Sequence, residues 1–460
     1  MTRLYFFLLL NLSIAANEVR ELDLQRSIVL AQNSIAKGYY FASIPFLKEG
    51  LVITKAPNEK LDNLIDKVLE NVGITQISFL PIDVLSKSNS LFAKIIHAKK
   101  LMDNNRYSAA SSLLNQIQDD HFAQALALQV KGTIEMTLSN FKEARTSFKK
   151  CQESSESMRD SFKKTDTRHE HFDYINSVCE VSIARSFYKE GKLKKALDVY
   201  SQVDMRSYLY PSVLLETAWT LYRLGDYQTS IGRTLSFRAP FLNDYFFPEA
   251  EQLASMSFFK ICHWNEVQNT LIYFDKNHYK NTRALIEYLN RNSLREQDVL
   301  KLVIDKSRAL KSFTITDRVF NRIRNTPSFI YNSNLLHLGV KELKMIRSQR
   351  GKDNLAGLYY NNTKRELKLK TVSLGYKIKS KLYKVANNFI KASQVLSLLK
   401  IESHGFKRDK IANRQPYQVT NSERLPIVRT VSSVNWDFRG EFWSDEIGSY
   451  VWSKESKCPK

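Results

Sequence analysis

The chain has 460 residues, roughly three average domains, and its 43% apolar and 25% charged residues exclude a wholly disordered protein. Its 14 Gly and 10 Pro are about 5% of the chain against a typical ~12%, which disfavours sandwiches, barrels and glycine-rich nucleotide folds and favours long helices. The formal charge is +22, yet residues 281–430 hold 31 Lys/Arg against 11 Asp/Glu, so one region carries +20 and the remainder only +2. Such a region calls for an acidic partner or surface.

Residues 1–16 join one positive charge at Arg3 to an apolar run from Leu4 and end in Ala15-Ala16, the three parts of a cleaved export signal. The run is too short to span a bilayer, and no later stretch of 18 apolar residues exists, so no transmembrane span is expected after cleavage. Export places Cys151, Cys179, Cys262 and Cys458 in an oxidising space with three pairings open. Cys151–Cys179 is geometrically feasible between adjacent helical hairpins, with two small buried thiols as the alternative.

From residue 22 to 276 a pattern recurs: a small residue, an apolar one three later, a polar turn, an aromatic, then small and larger residues at steps of three and four. The clearest copies run Ala184, Phe187, Gly191, Leu193, Ala196, Tyr200 and then Ala218, Leu221, Gly225, Tyr227, Ser230, Thr234. Others carry Gly38, Tyr40, Ser43 and Leu47; Ala98, Leu101, Asn105, Tyr107, Ala110 and Leu114; Gly132, Phe141, Ala144, Phe148 and Cys151; and Ser255, Phe258, Cys262, Trp264, Val267, Leu271 and Phe274. The central small positions, Ser43, Ala110, Ala144, Ala196, Ser230 and Val267, lie 67, 34, 52, 34 and 37 residues apart. Those steps put the marked side chains on one helical face and make each copy a helical hairpin.

This phasing resembles the tetratricopeptide repeat (TPR), which implies an all-α fold: a right-handed solenoid of stacked hairpins. The 67-residue interval fits a degenerate hairpin near 56–90, where Leu61, Leu64, Ile65, Val68 and Leu69 line one face. The extra length near Glu153–Glu170 reads as a loop or helix extension. There His169 and His171 are the nearest approach to a metal-ligand pair, but on a helix they point apart.

Residues 281–425 read as a basic helical region. Leu374, Ile378, Leu382, Val385, Phe389, Leu396 and Leu399 set one face of a long helix, with Lys377, Lys381, Lys384 and Lys391 beside it and Lys364, Arg365 and Lys368 upstream. A solvated face, contact with an anionic envelope polymer or lipid surface, and nucleic-acid binding stay open, although export argues against nucleic acid.

In the tail, 426–460, Val434, Trp436 and Phe438 alternate with polar residues, Arg439-Gly440 supplies a turn, and Tyr450 and Trp452 alternate again, the pattern of a small β-hairpin. Glu441, Asp445 and Trp443 form an acidic-aromatic cluster, either an interaction site or a cap on the basic helices. The tail, with Ala218–Tyr227 and Ala239–Ala250, resembles exported TPR proteins linked to gliding-type motility machinery. That resemblance implies a periplasmic scaffold holding other envelope proteins or peptides. Motifs for nucleotide, serine-hydrolase or zinc-protease chemistry are missing from the sequence, so neither catalytic residues nor a cofactor or metal are assigned. The alternative function is a peptidoglycan-acting enzyme or regulator using the tail carboxylates, or a polyanion-binding protein.

Overall fold

The structure is a computed structural model; it describes residues 21–117, 122–242, 245, 247–290, 295–304, 314–349, 351–412, 441–443 and 446–458. The export signal at 1–16 lies outside the described residues, as do Asp445 and 413–440.

Helices pair into hairpins where the phasing places them: 21–36 with Tyr40–Ile53, Leu91–Asp103 with Tyr107–Leu114, and Gln124–Thr137 with Phe141–Asp160. Further on come Thr167–Glu190 with Leu193–Tyr200, Tyr210–Leu224 with Tyr227–Leu235, and Pro248–Lys260 with Trp264–Phe274. One device turns them all. A single residue takes a left-handed conformation: Gly38 (φ 76°), Asn105 (59°), Ser139 (64°), Gly191 (86°), Gly225 (85°) and Cys262 (58°). The next N–H then reaches back five residues, as from Asp226 to the Leu221 carbonyl at 3.0 Å and from His263 to that of Phe258 at 3.0 Å. This Schellman closure satisfies carbonyls that a helix end would otherwise orphan.

The six central small positions are all buried, because there the two helices of a hairpin touch. Gly132 shows how closely: a Cβ on it would stand 2.6 Å from the Phe148 ring. The stretch near 56–90 holds one full helix, Glu59–Val72, followed by the single helical turns Ile74–Gln76 and Ile82–Leu85. The extra residues near 153–170 lengthen two helices, Phe141–Asp160 and Thr167–Glu190. Phe162 in the connection stacks on Phe172, 6.0 Å between centroids.

The chain forms two compact units. The first joins residues up to Cys179 with Pro327–Leu374. Its core runs from Phe41, Leu47, Leu61 and Val68 to Ile346, Ala356, Tyr359 and Leu367. Polar ties between the distant segments are buried. Glu342 accepts from the N–H groups of Phe41 (2.9 Å) and Ala42 (2.8 Å) and from the Thr363 hydroxyl (2.8 Å), closing the N-terminus of Tyr40–Ile53. Burial outweighs these donors and pushes the Glu342 carboxyl up to about 7. Lys48 pairs with Glu366 at 2.7 Å. Lys370 donates to the Val72 carbonyl at 3.0 Å, ending Glu59–Val72.

The second unit holds Glu180–Thr326 and the segment from Gly375 onward. Within it, Phe389 of the helix Ala356–Ala412 stacks on Phe274, 5.0 Å between centroids. The Tyr383 hydroxyl donates to the Leu289 carbonyl at 3.0 Å. Leu374, Ile378, Leu382, Phe389, Leu396 and Leu399 are buried, so the apolar series marks the inner face.

Among the described residues of the tail no strand forms, so the expected β-hairpin is not supported there: residues 446–449 make a turn and 450–457 run extended against helices, while Val434, Trp436 and Phe438 lie outside the described residues. The Trp452 ring packs on the helical surface and the Tyr450 ring on Phe442 of the tail itself, 5.9 Å between centroids, so the alternation here marks an extended segment.

Candidate interaction surfaces

The tail forms the most elaborate surface of the second unit. Ile447 is buried with Leu214, Ala239 and Leu242, and Phe442 packs beside them. The Tyr210 hydroxyl donates to the Ile447 carbonyl at 2.9 Å, and the Gly448 N–H donates to the Ser236 hydroxyl at 3.1 Å. The backbone then crosses Gly232, where a Cβ would sit 1.7 Å from the Tyr450 carbonyl oxygen. Only glycine admits the strap at that point. Beyond it the Trp452 N–H donates to the Gln228 carbonyl (3.1 Å), and the Trp452 ring packs edge-on against Phe258 (5.0 Å) and His263 (6.0 Å).

The far end is fastened three times. His263 Nε2 meets the Glu455 carbonyl at 2.7 Å and so carries the proton in that bond. The Lys457 N–H donates to the Ile261 carbonyl at 2.9 Å, and Cys458 is disulfide-bonded to Cys262. Cys262 and His263 are therefore anchors of the tail. Cys151 and Cys179 form a second disulfide, between Phe141–Asp160 and Thr167–Glu190.

Of the tail cluster, Glu441 and Trp443 are exposed and Asp445 lies outside the described residues. Sequence reasoning missed Tyr210, Gln228, Gly232, Ser236 and His263; the one available signal was a glycine inside Tyr227–Leu235, which costs a helix about 1 kcal/mol unless something needs the space.

The cationic residues sort unequally. Lys364, Arg365 and Lys368 are exposed in the first unit, whereas Lys370 beside them is buried and structural. In the second unit Lys377, Lys381, Lys384 and Lys391 reach solvent along one helix. Burial of their ammonium groups lowers the pKa of Lys377 and Lys381, and Arg322 and Lys377 add repulsion at Lys381. His171 stacks on Tyr331 at 4.1 Å, and burial pushes it down to about 4, so it is a neutral packing ring. Among the described residues no group of three His, Cys, Asp or Glu side chains is placed to hold a metal ion, and no helix is long and apolar enough to cross a membrane.

No family model matches the chain, and no curated protein does. Among solved structures, the apo form of RapI aligns over 75% of this chain and 97% of its own at 10% identity, with a TM-score of 0.34. The APC/C hetero-tetramer Cut9–Hcn1 aligns over 83% of this chain and 89% of its own at 15% identity, with a TM-score of 0.25. Likenesses this slight carry neither fold nor function, which rest on the hairpins and the tail themselves.

Proposed function

We propose that the chain is a non-enzymatic TPR-type scaffold, exported to the periplasm, which holds protein or peptide partners of a cell-envelope complex. The observation that carries this reading is the tail. Hairpins Tyr210–Leu235 and Pro248–Phe274 receive an extended peptide by main-chain hydrogen bonds, a buried Ile447 and an edge-packed Trp452. A surface with those properties recognises peptides. Two disulfides using all four cysteines support an oxidising compartment, and the apolar stretch ending at Ala16 supports export. The motility machinery named by the sequence resemblance is the complex proposed for it. Polyanion contact through Lys377, Lys381, Lys384 and Lys391 belongs to the same role, as one of its holding surfaces.

The test is photocrosslinking in intact cells from exposed positions of the hairpin helices, joined to a fusion of residues 1–30 with a phosphatase active only after export. Discrete crosslinked proteins and an active fusion are expected. An inactive fusion contradicts export, and absence of any crosslinked protein contradicts the scaffold.

A further inference from the structure

From Gly375 onward the helix Ala356–Ala412 buries one face in the second unit and leaves another in solvent. On the solvent face stand Tyr376 (65% exposed), Tyr383, Ile390, Leu398 and Ile401 (70%). Tyr376, Tyr383 and Ile390 are seven residues apart, and so are Lys377, Lys384 and Lys391; Lys384 and Lys391 stand in solvent, and Lys377 is exposed along its side chain with its ammonium partly buried. A period of seven returns to nearly the same side of a helix, drifting only ~20° each time. The result is a narrow apolar seam with an ammonium rail along one edge, over the buried face that already fixes the helix to its own unit. Such a rail is not needed for folding, because the inner face supplies the packing.

We infer that this seam docks an acidic amphipathic helix of a partner protein, its apolar residues meeting Tyr376, Tyr383 and Ile390 and its carboxylates meeting Lys377, Lys384 and Lys391. The inference rests on the scaffold reading and names one surface and one partner chemistry. Seven-residue spacing on both seam and rail is the geometry by which one helix follows another. Ser380, Asn387 and Gln394 lie between the apolar positions, all exposed. Their polar groups find partners on a protein helix but would be left unsatisfied in lipid hydrocarbon. The chain's own residues 413–440 have the wrong sign to cover the rail, with Arg414, Arg424, Arg429 and Arg439 against Glu423 and Asp437. Asp and Glu are almost absent from 375–408, where Glu402 stands alone among eight Lys and Arg.

The test uses the full chain and a synthetic four-heptad peptide with Leu at its a and d positions and Glu at e and g, against a control with Lys at e and g. The acidic peptide binds and the basic one does not. The triple variant Lys377→Glu/Lys384→Glu/Lys391→Glu weakens binding by about tenfold or more; its circular dichroism and thermal midpoint report that the fold persists. Tyr376→Ala, at a largely exposed ring, weakens binding without reversing charge. Equal binding of both peptides, or affinity indifferent to the charge reversal, overturns the inference. So does retention on phosphatidylglycerol vesicles that the triple variant abolishes while the acidic peptide fails to bind. These failures leave the scaffold reading standing if photocrosslinks from the hairpins still capture proteins; loss of those crosslinks would sink the scaffold reading itself.

Discussion

Replacing Gly232 by Ala sets two effects against each other. Ala gains about 1 kcal/mol over Gly in a helix interior, so the helix Tyr227–Leu235 alone would be stabilised. The new Cβ, however, would lie 1.7 Å from the Tyr450 carbonyl oxygen and 2.7 Å from the Val451 nitrogen, both backbone atoms, so the strap itself must lift. Lifting it breaks the bonds from Trp452 N–H to Gln228 and from Gly448 N–H to Ser236, about 1 kcal/mol each. It also withdraws Ile447 from its cluster with Leu214 and Leu242, about 2 kcal/mol. The tail loses about 4 kcal/mol of docking, on the order of a thousandfold in local opening, while the helix gain of about 1 kcal/mol is present whether the tail is docked or lifted and shows only in global stability. Hydrogen exchange reads this directly: the Gly448 and Trp452 amides exchange on the order of a thousandfold faster in Gly232→Ala, while Lys457 stays held by its bond to Ile261 and the adjacent disulfide. Unchanged exchange at Gly448 and Trp452, with a raised thermal midpoint, would refute the reasoning.

Three further outcomes follow from the same geometry. Gly132→Ala forces a Cβ to within 2.6–2.8 Å of the fully buried Phe148 ring and destabilises by about 1–3 kcal/mol despite better helix propensity; combining it with Phe148→Leu recovers part of the loss in urea unfolding. Glu342 is held at about 7 when folded, above its unfolded value, so its contribution is complete below about pH 4.5 and disappears as pH rises to about 7. Stability should fall by about 3 kcal/mol across that window, and Glu342→Gln should flatten the slope in pH-dependent urea titrations. Cys262→Ser/Cys458→Ser opens a loop of 196 residues and, on the chain-entropy account, removes about 5 kcal/mol; a thermal midpoint equal to that of the parent would count against the tie.

The hairpins were legible because their signal is local. A small residue where helices touch and a turn residue able to go left-handed lie within a dozen positions, and Gly38, Asn105, Gly191 and Gly225 turn where the spacing puts them. Ser139 turns the third hairpin and Cys262 the sixth without such a signal, since neither serine nor cysteine has special ease there. The tail was read only halfway. Alternation at Tyr450 and Trp452 announces an extended chain, but what an extended chain lies on is settled by contacts more than 190 residues away, such as His263 to Glu455. Charge was similarly ambiguous: Lys368 and Lys370 look alike in sequence, yet one is exposed and the other is buried against the Val72 carbonyl, because the segment Pro327–Leu374 returns to the first unit. Periodicity assigns a side chain to a face; it does not say which faces find a neighbour.

The account stands on recognition of an extended peptide by the helical surface around Gly232. The direct measurement takes a chain ending at residue 440 with Cys262→Ser and titrates it with a synthetic peptide of residues 441–458 carrying Cys458→Ser. Saturable binding that Gly232→Leu abolishes, with Ile447→Ala weakening it, is the predicted result. A folded truncated chain that ignores the peptide, or binds it equally well with Gly232→Leu, would contradict the claim.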